Sequence, residues 1–137
     1  MNNKNISNKI LDWYDNNKRI LPWRTKVTQS QKEYYTFVSE FMLQQTQVKT
    51  VIPYFENFIK QIPNFQSLAN IKEQLLLKKW EGLGYYSRAR NLKKSAIKIV
   101  REFKGRLPES YDNLIQLPGV GDYTSKAIMS IAFNIKT

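Results

Sequence analysis

The sequence contains no cysteine and no histidine. That excludes disulfides, thiol nucleophiles, imidazole bases, iron–sulfur ligation and ordinary zinc sites within this chain. Acidic residues are scarce: 11 Asp and Glu stand against 22 Lys and Arg, a net charge of +11 over 137 residues. No apolar run approaches the roughly 18 residues of a membrane span. The first residues, Met1 to Asn8, are polar and Asn-rich, unlike a secretory signal. The length suits one domain with a hydrophobic core and is too short for two. Chemistry is left to carboxylates, hydroxyls, lysines and backbone groups. The expectation is a basic, intracellular, cytoplasmic protein. Its charge favours a polyanionic partner, nucleic acid before a membrane surface.

Helical periodicity runs throughout, and no strand pattern survives, so the expected fold class is all-α. Ser7 caps a first helix carrying Ile10, Leu11 and Trp13, and Leu21-Pro22-Trp23-Arg24 ends it. Thr25 to Glu33 reads as a polar loop, followed by a helix from about Tyr34 to Leu43. Val48, Val51, Ile52, Phe55, Ile59 and Ile62 mark one face of the next helix. Pro53 either starts or kinks it, and Pro63 closes it. Ser67 opens a short helical turn, and Ile71 to Trp80 forms a further helix ended by Gly82 and Gly84. Ser87 to Phe103 is the best amphipathic stretch, with Ala89, Leu92, Ala96, Ile99 and Phe103 as its stripe. Arg88, Arg90, Lys93, Lys94, Lys98 and Arg101 crowd its remaining surface. Ser110 caps a short helix reaching Leu117, and a last helix begins near Tyr123. Its apolar residues Ala127, Ile128, Ile131, Ala132 and Phe133 come just before Thr137, which predicts an uncovered apolar face and poor folding.

Three strings can carry chemistry. Leu117-Pro118-Gly119-Val120-Gly121-Asp122-Tyr123-Thr124 lies between two helices. Glycine there permits close backbone approach, and N–H groups opening a helix suit a phosphate. A tight interhelical turn accounts for the same glycines. In Ser39 to Gln47, Glu40 sits among Phe37, Val38, Phe41 and Met42. Apolar surroundings favour a protonated carboxyl, as a general acid requires. A glutamate at the core rim paired with a lysine fits as well. Gln44 and Gln45 can meet base edges or water. In Glu81 to Arg90, tyrosines beside arginines can stack on bases while Arg88 and Arg90 meet phosphates. The alternative is a helix C-cap followed by core tyrosines.

Together, Ser39 to Val48, Gly82 to Leu92 and Leu117 to Thr124 resemble the helix-hairpin-helix DNA glycosylase superfamily, in particular its MutY-type adenine glycosylases. The similarity runs from about Leu11 to the end of the chain. Leu21 to Arg24 and Val51 to Phe55 fit it too. The resemblance implies an all-helical, two-lobed fold with DNA in the cleft, and removal of adenine mispaired with 8-oxoguanine or guanine. By the same token Glu40 matches the acid that protonates the leaving adenine. Gln45 and Tyr85 match residues inserted into the base stack, with Gln44 and Thr46 in the same lesion-facing loop. Leu21, Trp23 and Arg24 match the base pocket. Leu117, Gly119, Val120, Gly121 and Thr124 match the phosphate-binding hairpin, where the backbone of Leu117 and Val120 can hold a monovalent cation. Tyr123 matches a position contacting the active site. It is lysine in the endonuclease III-like lyases, so a glycosylase without lyase activity is implied.

Other parts of the family pattern have no counterpart in this sequence. The catalytic Asp, the cysteines of a [4Fe–4S] cluster and the lesion-reading domain are expected past Thr137, so this chain alone is expected to excise little or no adenine. Glu33 replaces a Pro common before Tyr34. The expected partner is mismatched double-stranded DNA, with no membrane and no protein partner. The competing readings are a non-catalytic helix-hairpin-helix DNA-binding module, an endonuclease III-like lyase disfavoured by Tyr123, and a basic membrane-surface protein.

Overall fold

A computed structural model describes residues 27–135, and among these all regular elements are helices. In chain order they are α1 (Gln29–Leu43), α2 (Val48–Gln61), α3 (Phe65–Asn70), α4 (Glu73–Lys79), α5 (Tyr86–Phe103), α6 (Tyr111–Leu114) and α7 (Asp122–Phe133). The expected helix around Ser7 to Trp13, and Leu21, Trp23 and Arg24, lie outside the described residues. No helix among the described residues is long and apolar enough to cross a membrane.

α1 is the central element. Every residue from Glu33 to Leu43 is buried, and the helix packs against α2, α5 and α7. It begins at Gln29, earlier than the expected Tyr34, because a capping box starts it. Thr28 Oγ1 accepts from Gln31 N at 3.1 Å, and Gln31 Oε1 accepts from Thr28 N at 3.0 Å. Two orphan N–H groups are thereby satisfied within a polar stretch that reads as loop. α2 includes Pro53 within it. The proline removes only the hydrogen bond to Lys49, next to the helix start, where the loss is small. α3 is capped by Asn64, which accepts from Ser67 N at 2.8 Å, so Ser67 is the reciprocal partner and not the cap.

Spacing locates α5 and α7 well. Ala89, Leu92, Ala96 and Ile99 are buried, α5 packs on α3 and α4, and Phe103 is half-buried. α6 stops at Leu114, short of the expected Leu117, and the chain goes on in turns: Ile115 N donates to Tyr111 O and Leu117 N to Leu114 O. The apolar face of α7 is not left open. Ala127, Ile128, Ile131 and Ala132 are buried, and the helix lies against α1.

Two contacts fix how α1 and α7 run. Gln29 Nε2, at the start of α1, donates to Ala132 O near the end of α7 at 2.9 Å. At the other end, Phe41 abuts Gly119, just before α7: a Cβ on Gly119 would stand 2.9 Å from Phe41 Cε2. The helices are therefore antiparallel neighbours. A second brace joins α1 to the segment after α5. Glu33, 2% exposed, receives Arg106 Nε and Nη2 at 3.0 and 2.6 Å and Leu107 N at 3.2 Å.

Candidate active site and nucleic-acid interface

Glu40 shares a face of α1 with Gln29, whose side-chain amide reaches α7. It lies eleven residues beyond Gln29, three turns to within roughly 20° at 3.6 residues per turn. Gln29 touches α7 near its C-terminus, so antiparallel packing carries Glu40 toward the N-terminal, hairpin end of α7. The residue is 3% exposed, and Oε2 has no hydrogen-bond partner among the described residues. Burial pushes the carboxyl up from its ordinary value to about 8. No lysine or arginine pairs with it among the described residues. The core-rim ion pair is thus not what surrounds Glu40. The group holds its proton at neutral pH, as a proton donor must.

The hairpin comprises α6, the turn Ile115–Gly121 and α7. Two helices, α1 and α5, seat it. Ser95 Oγ, on α5, donates to Pro118 O at 2.7 Å. Gly119 has φ +82°, and a Cβ there would also stand 2.9 Å from Asn91 Cβ. The left-handed conformation and the close approach both require glycine. Gly121 has neither constraint: open space surrounds its missing Cβ, and it begins α7 with no side-chain cap. The N-terminal N–H groups of α7 are therefore not covered by a capping side chain. Leu117, Val120 and Thr124 are buried, and Tyr123 is exposed. Asp122 is tied back: Tyr111 Oη donates to Oδ1 at 2.6 Å, and Lys126 Nζ lies 3.5 Å from Oδ2. The Tyr111 hydrogen bond holds the Asp122 carboxyl below its ordinary value.

Gln45 and Tyr85 share an unusual backbone. Both are exposed, Tyr85 by 58%, and both have positive φ, +62° and +50°. For residues with a Cβ this costs roughly 1–2 kcal/mol each, and it persists only where the surroundings determine it. Gln44 and Thr46 are half-buried, and Thr46 Oγ1 is enclosed without a hydrogen-bond partner among the described residues. The turn before Tyr85 is propped by Tyr54, whose Oη donates to Glu81 O at 2.7 Å. The same ring lies where a side chain on Gly82, φ +96°, would begin. Gly82 therefore answers to packing as well as to chain reversal.

Arg88 differs from its expected place. It is 6% exposed and does not present its guanidinium to a phosphate. Nη1 donates to the carbonyls of Phe41, Met42 and Gln44, and Nη2 to those of Leu83 and Gly84. Its Cζ lies 5.6 Å from the Trp80 ring centre and 5.2 Å from that of Tyr85. Burial lowers its pKa, opposed by Tyr85, yet an arginine remains charged. The signal was present in the sequence: Arg88 is four residues before Leu92 and eight before Ala96, on the apolar stripe of α5 and not on its basic face. Arg90 is exposed, with Nε 3.7 Å from Glu73 Oε1.

The described residues contain no group of three His, Cys, Asp or Glu placed to hold a metal. With no cysteine anywhere in the sequence, its residues do not fit a thiolate-held iron–sulfur cluster.

Among the described residues an all-helical scaffold brings a glycine hairpin onto the helix that carries a buried carboxyl. The chain belongs to the HhH-GPD superfamily of base excision DNA repair proteins, whose family model matches residues 38–137. It is 47% identical over 127 residues to an adenine DNA glycosylase of Buchnera aphidicola subsp. Baizongia pistaciae, covering 92% of this chain and 35% of that protein. The adenine DNA glycosylase of Homo sapiens is 46% identical over 133 residues, with 93% and 24% covered. The chain thus spans about a quarter to a third of the length of these relatives. Among solved structures, a thermostable thymine-DNA glycosylase aligns with TM-score 0.72 at 26% identity, over 93% of this chain and 58% of that one. A trapped endonuclease III–DNA covalent intermediate aligns with TM-score 0.73 at 20% identity, over 98% and 62%. The latter likeness bears on the fold alone.

Proposed function

We propose that this chain supplies the proton donor and the DNA grip of an adenine-excising DNA glycosylase acting on adenine opposite 8-oxoguanine or guanine. The observation that carries the reading is Glu40, a carboxyl kept neutral by burial on the helix against which the hairpin is seated. A flipped adenine leaves readily only when protonated. Glu40 gives its proton to the base, and the electron pair of the glycosidic bond departs with it. The sugar is left cationic, and water completes the hydrolysis. Gln45 and Tyr85 enter the base stack at the lesion, with Gln44 and Thr46 in the loop that faces it. Gly119, Val120, Gly121 and Thr124 bring the start of α7 to a phosphate. The carbonyls of Leu117 and Val120 are oxygen donors of the kind a monovalent cation takes there. Arg90 and the basic face of α5 add the sequence-independent, salt-sensitive attraction. The DNA bound in this way fits a cytoplasmic, nucleoid-associated location.

Tyr123 and Lys126 speak against a lyase. At the position where a Schiff-base lysine is implied, this chain has Tyr123. Lys126 is about one turn further on, and its ammonium lies 3.5 Å from Asp122.

The test is binding to duplexes carrying adenine opposite 8-oxoguanine or only normal pairs, at two salt concentrations, with adenine release measured alongside. Lesion preference that falls on Gln45→Ala or Tyr85→Ala supports the reading. Equal, salt-dependent affinity for both duplexes overturns it in favour of a non-catalytic DNA-binding module. Adenine release retained by Glu40→Gln would remove Glu40 from its role.

A further inference from the structure

Arg88 joins two loops through the main-chain carbonyls that its guanidinium holds. Its Nη1 reaches the end of α1 and the Gln44 carbonyl, and its Nη2 reaches the Leu83 and Gly84 carbonyls. A carbonyl and the next residue's N–H belong to one rigid peptide plane. The Gln44 carbonyl therefore fixes the plane that enters Gln45, and the Gly84 carbonyl fixes the plane that enters Tyr85. Those are the two residues held at φ +62° and +50° in this region. Trp80 Nε1 donates to the same Gly84 carbonyl at 3.1 Å, and the guanidinium carbon lies over both the Trp80 and the Tyr85 ring. One planar cation thus spans both strained turns, using two nitrogens of its fork.

We propose that Arg88 is a positioning residue that fixes Gln45 and Tyr85 relative to each other, so that both enter the base stack as one rigid wedge. The proposal rests on the reading of Gln45 and Tyr85 as lesion-inserting residues, and it assigns Arg88 a role distinct from phosphate binding. Lysine at this site keeps the charge but is a point donor on a flexible stem, unable to hold both sets of carbonyls.

The experiment compares the wild-type chain with Arg88→Lys and Arg88→Ala. Without DNA, backbone NMR order parameters report the clamp directly. Arg88→Lys is expected to lower both Gln45 and Tyr85 from about 0.85 to below about 0.6 while α6 and α7 stay rigid. Loss at one site only, or at neither, overturns the proposal. With DNA, Arg88→Lys is expected to lose roughly tenfold in preference for the adenine–8-oxoguanine duplex, at unchanged affinity for the matched duplex and unchanged salt slope. Retained preference overturns the proposal. So does a salt slope reduced by about one in Arg88→Ala with equal weakening on both duplexes, the signature of a phosphate contact. If the wild type shows no lesion preference, the proposed function fails, and the order parameters alone decide whether Arg88 couples the two turns. If Arg88→Ala does not fold, Arg88→Lys carries both measurements.

Discussion

The ring of Phe41 lies where a side chain on Gly119 would begin, 2.9 Å from Cε2 to an ideal Cβ. Phe41 is the neighbour of Glu40, so the hairpin rests directly on the helix that holds the buried carboxyl. Gly119→Ala would have to displace this ring and Asn91, and would force an alanine to φ +82°. We expect a loss of about 2–4 kcal/mol, combining overpacking and left-handed strain. Gly121→Ala meets open space at an ordinary φ and should change stability by less than about 1 kcal/mol. Thermal melts of the two variants check the contrast. Because Gly121 starts α7, its alanine variant should still weaken DNA binding through the added bulk at the helix N-terminus. A Gly121→Ala chain that melts like wild type and binds DNA like wild type would separate this glycine from the phosphate.

Glu40 predicts a stability that runs against its role. Its folded pKa is about 8 and its ordinary value 4.5, so the folded chain binds the extra proton between those values. Stability from this group is intact at pH 4, declines as pH rises above 4.5, and stops declining above about pH 8. At pH 7 the loss is on the order of 3 kcal/mol. Glutamine avoids it, being neutral at every pH. Glu40→Gln should therefore melt higher than wild type at pH 7–8 and nearly equal to it at pH 4. Urea titrations at the two pH values measure the difference. A variant no more stable at pH 8 than at pH 4, relative to wild type, would mean that Glu40 is ionised without cost.

Much of this architecture was legible because it is local. The stripe Ala89, Leu92, Ala96, Ile99 specifies α5, and Ser110 specifies where α6 starts, its Oγ accepting from Asn113 N at 3.1 Å. Glu40 stood out from its apolar neighbours, but its burial depends on the tertiary packing of α1, which no local pattern records. The start of α1 was hidden because Thr28 and Gln31 are polar and resemble a loop until their reciprocal hydrogen bonds are seen. Arg88 was misplaced because it was grouped with the basic residues around it. Three of its partners, the carbonyls of Phe41, Met42 and Gln44, are more than forty residues away, and main-chain acceptors leave no trace in residue type. The closure of the α7 face depends likewise on its position against α1.

Glu33 and Arg106 illustrate a distant pair with a measurable weight. Glu33 is buried while the Arg106 side chain is 55% exposed, and the hydrogen bond from Arg106 to Glu33 raises the Arg106 pKa above its ordinary value. Arg106→Ala leaves the carboxylate with Leu107 N and Gln29 Nε2 as donors. We expect a cost of about 1–3 kcal/mol, reduced by solvent reaching the cation. Arg106→Lys should recover only part of it, since one ammonium cannot reproduce the two parallel bonds at 3.0 and 2.6 Å. Differential scanning calorimetry of the two variants tests the order wild type, lysine, alanine. Identical melting of all three would show that the remaining donors suffice.

At the entrance of α7, Tyr111 donates its hydroxyl proton to the Asp122 carboxylate. Both side chains are on the surface side of the hairpin, joined at 2.6 Å. The hydrogen bond from Tyr111 is the largest cause of the lowered Asp122 pKa, with Lys126 adding to it. A lowered folded pKa contributes stability above the unfolded value, and that contribution disappears as pH falls through the folded pKa. Tyr111→Phe should move the Asp122 carboxyl upward, toward its ordinary value, and narrow the stability difference between neutral and acid pH. Carbon NMR of the Asp122 carboxyl during an acid titration reads the midpoint directly. The freed carboxylate can then turn back to cap the first N–H groups of α7, the groups that a phosphate would use. Tyr111→Phe should accordingly weaken DNA binding at low salt, even though it removes no positive charge. Lys126→Ala should move the midpoint less. If Tyr111→Phe left the midpoint where it is in wild type, the tyrosine would not be what restrains Asp122, and competition for the helix start would have no basis.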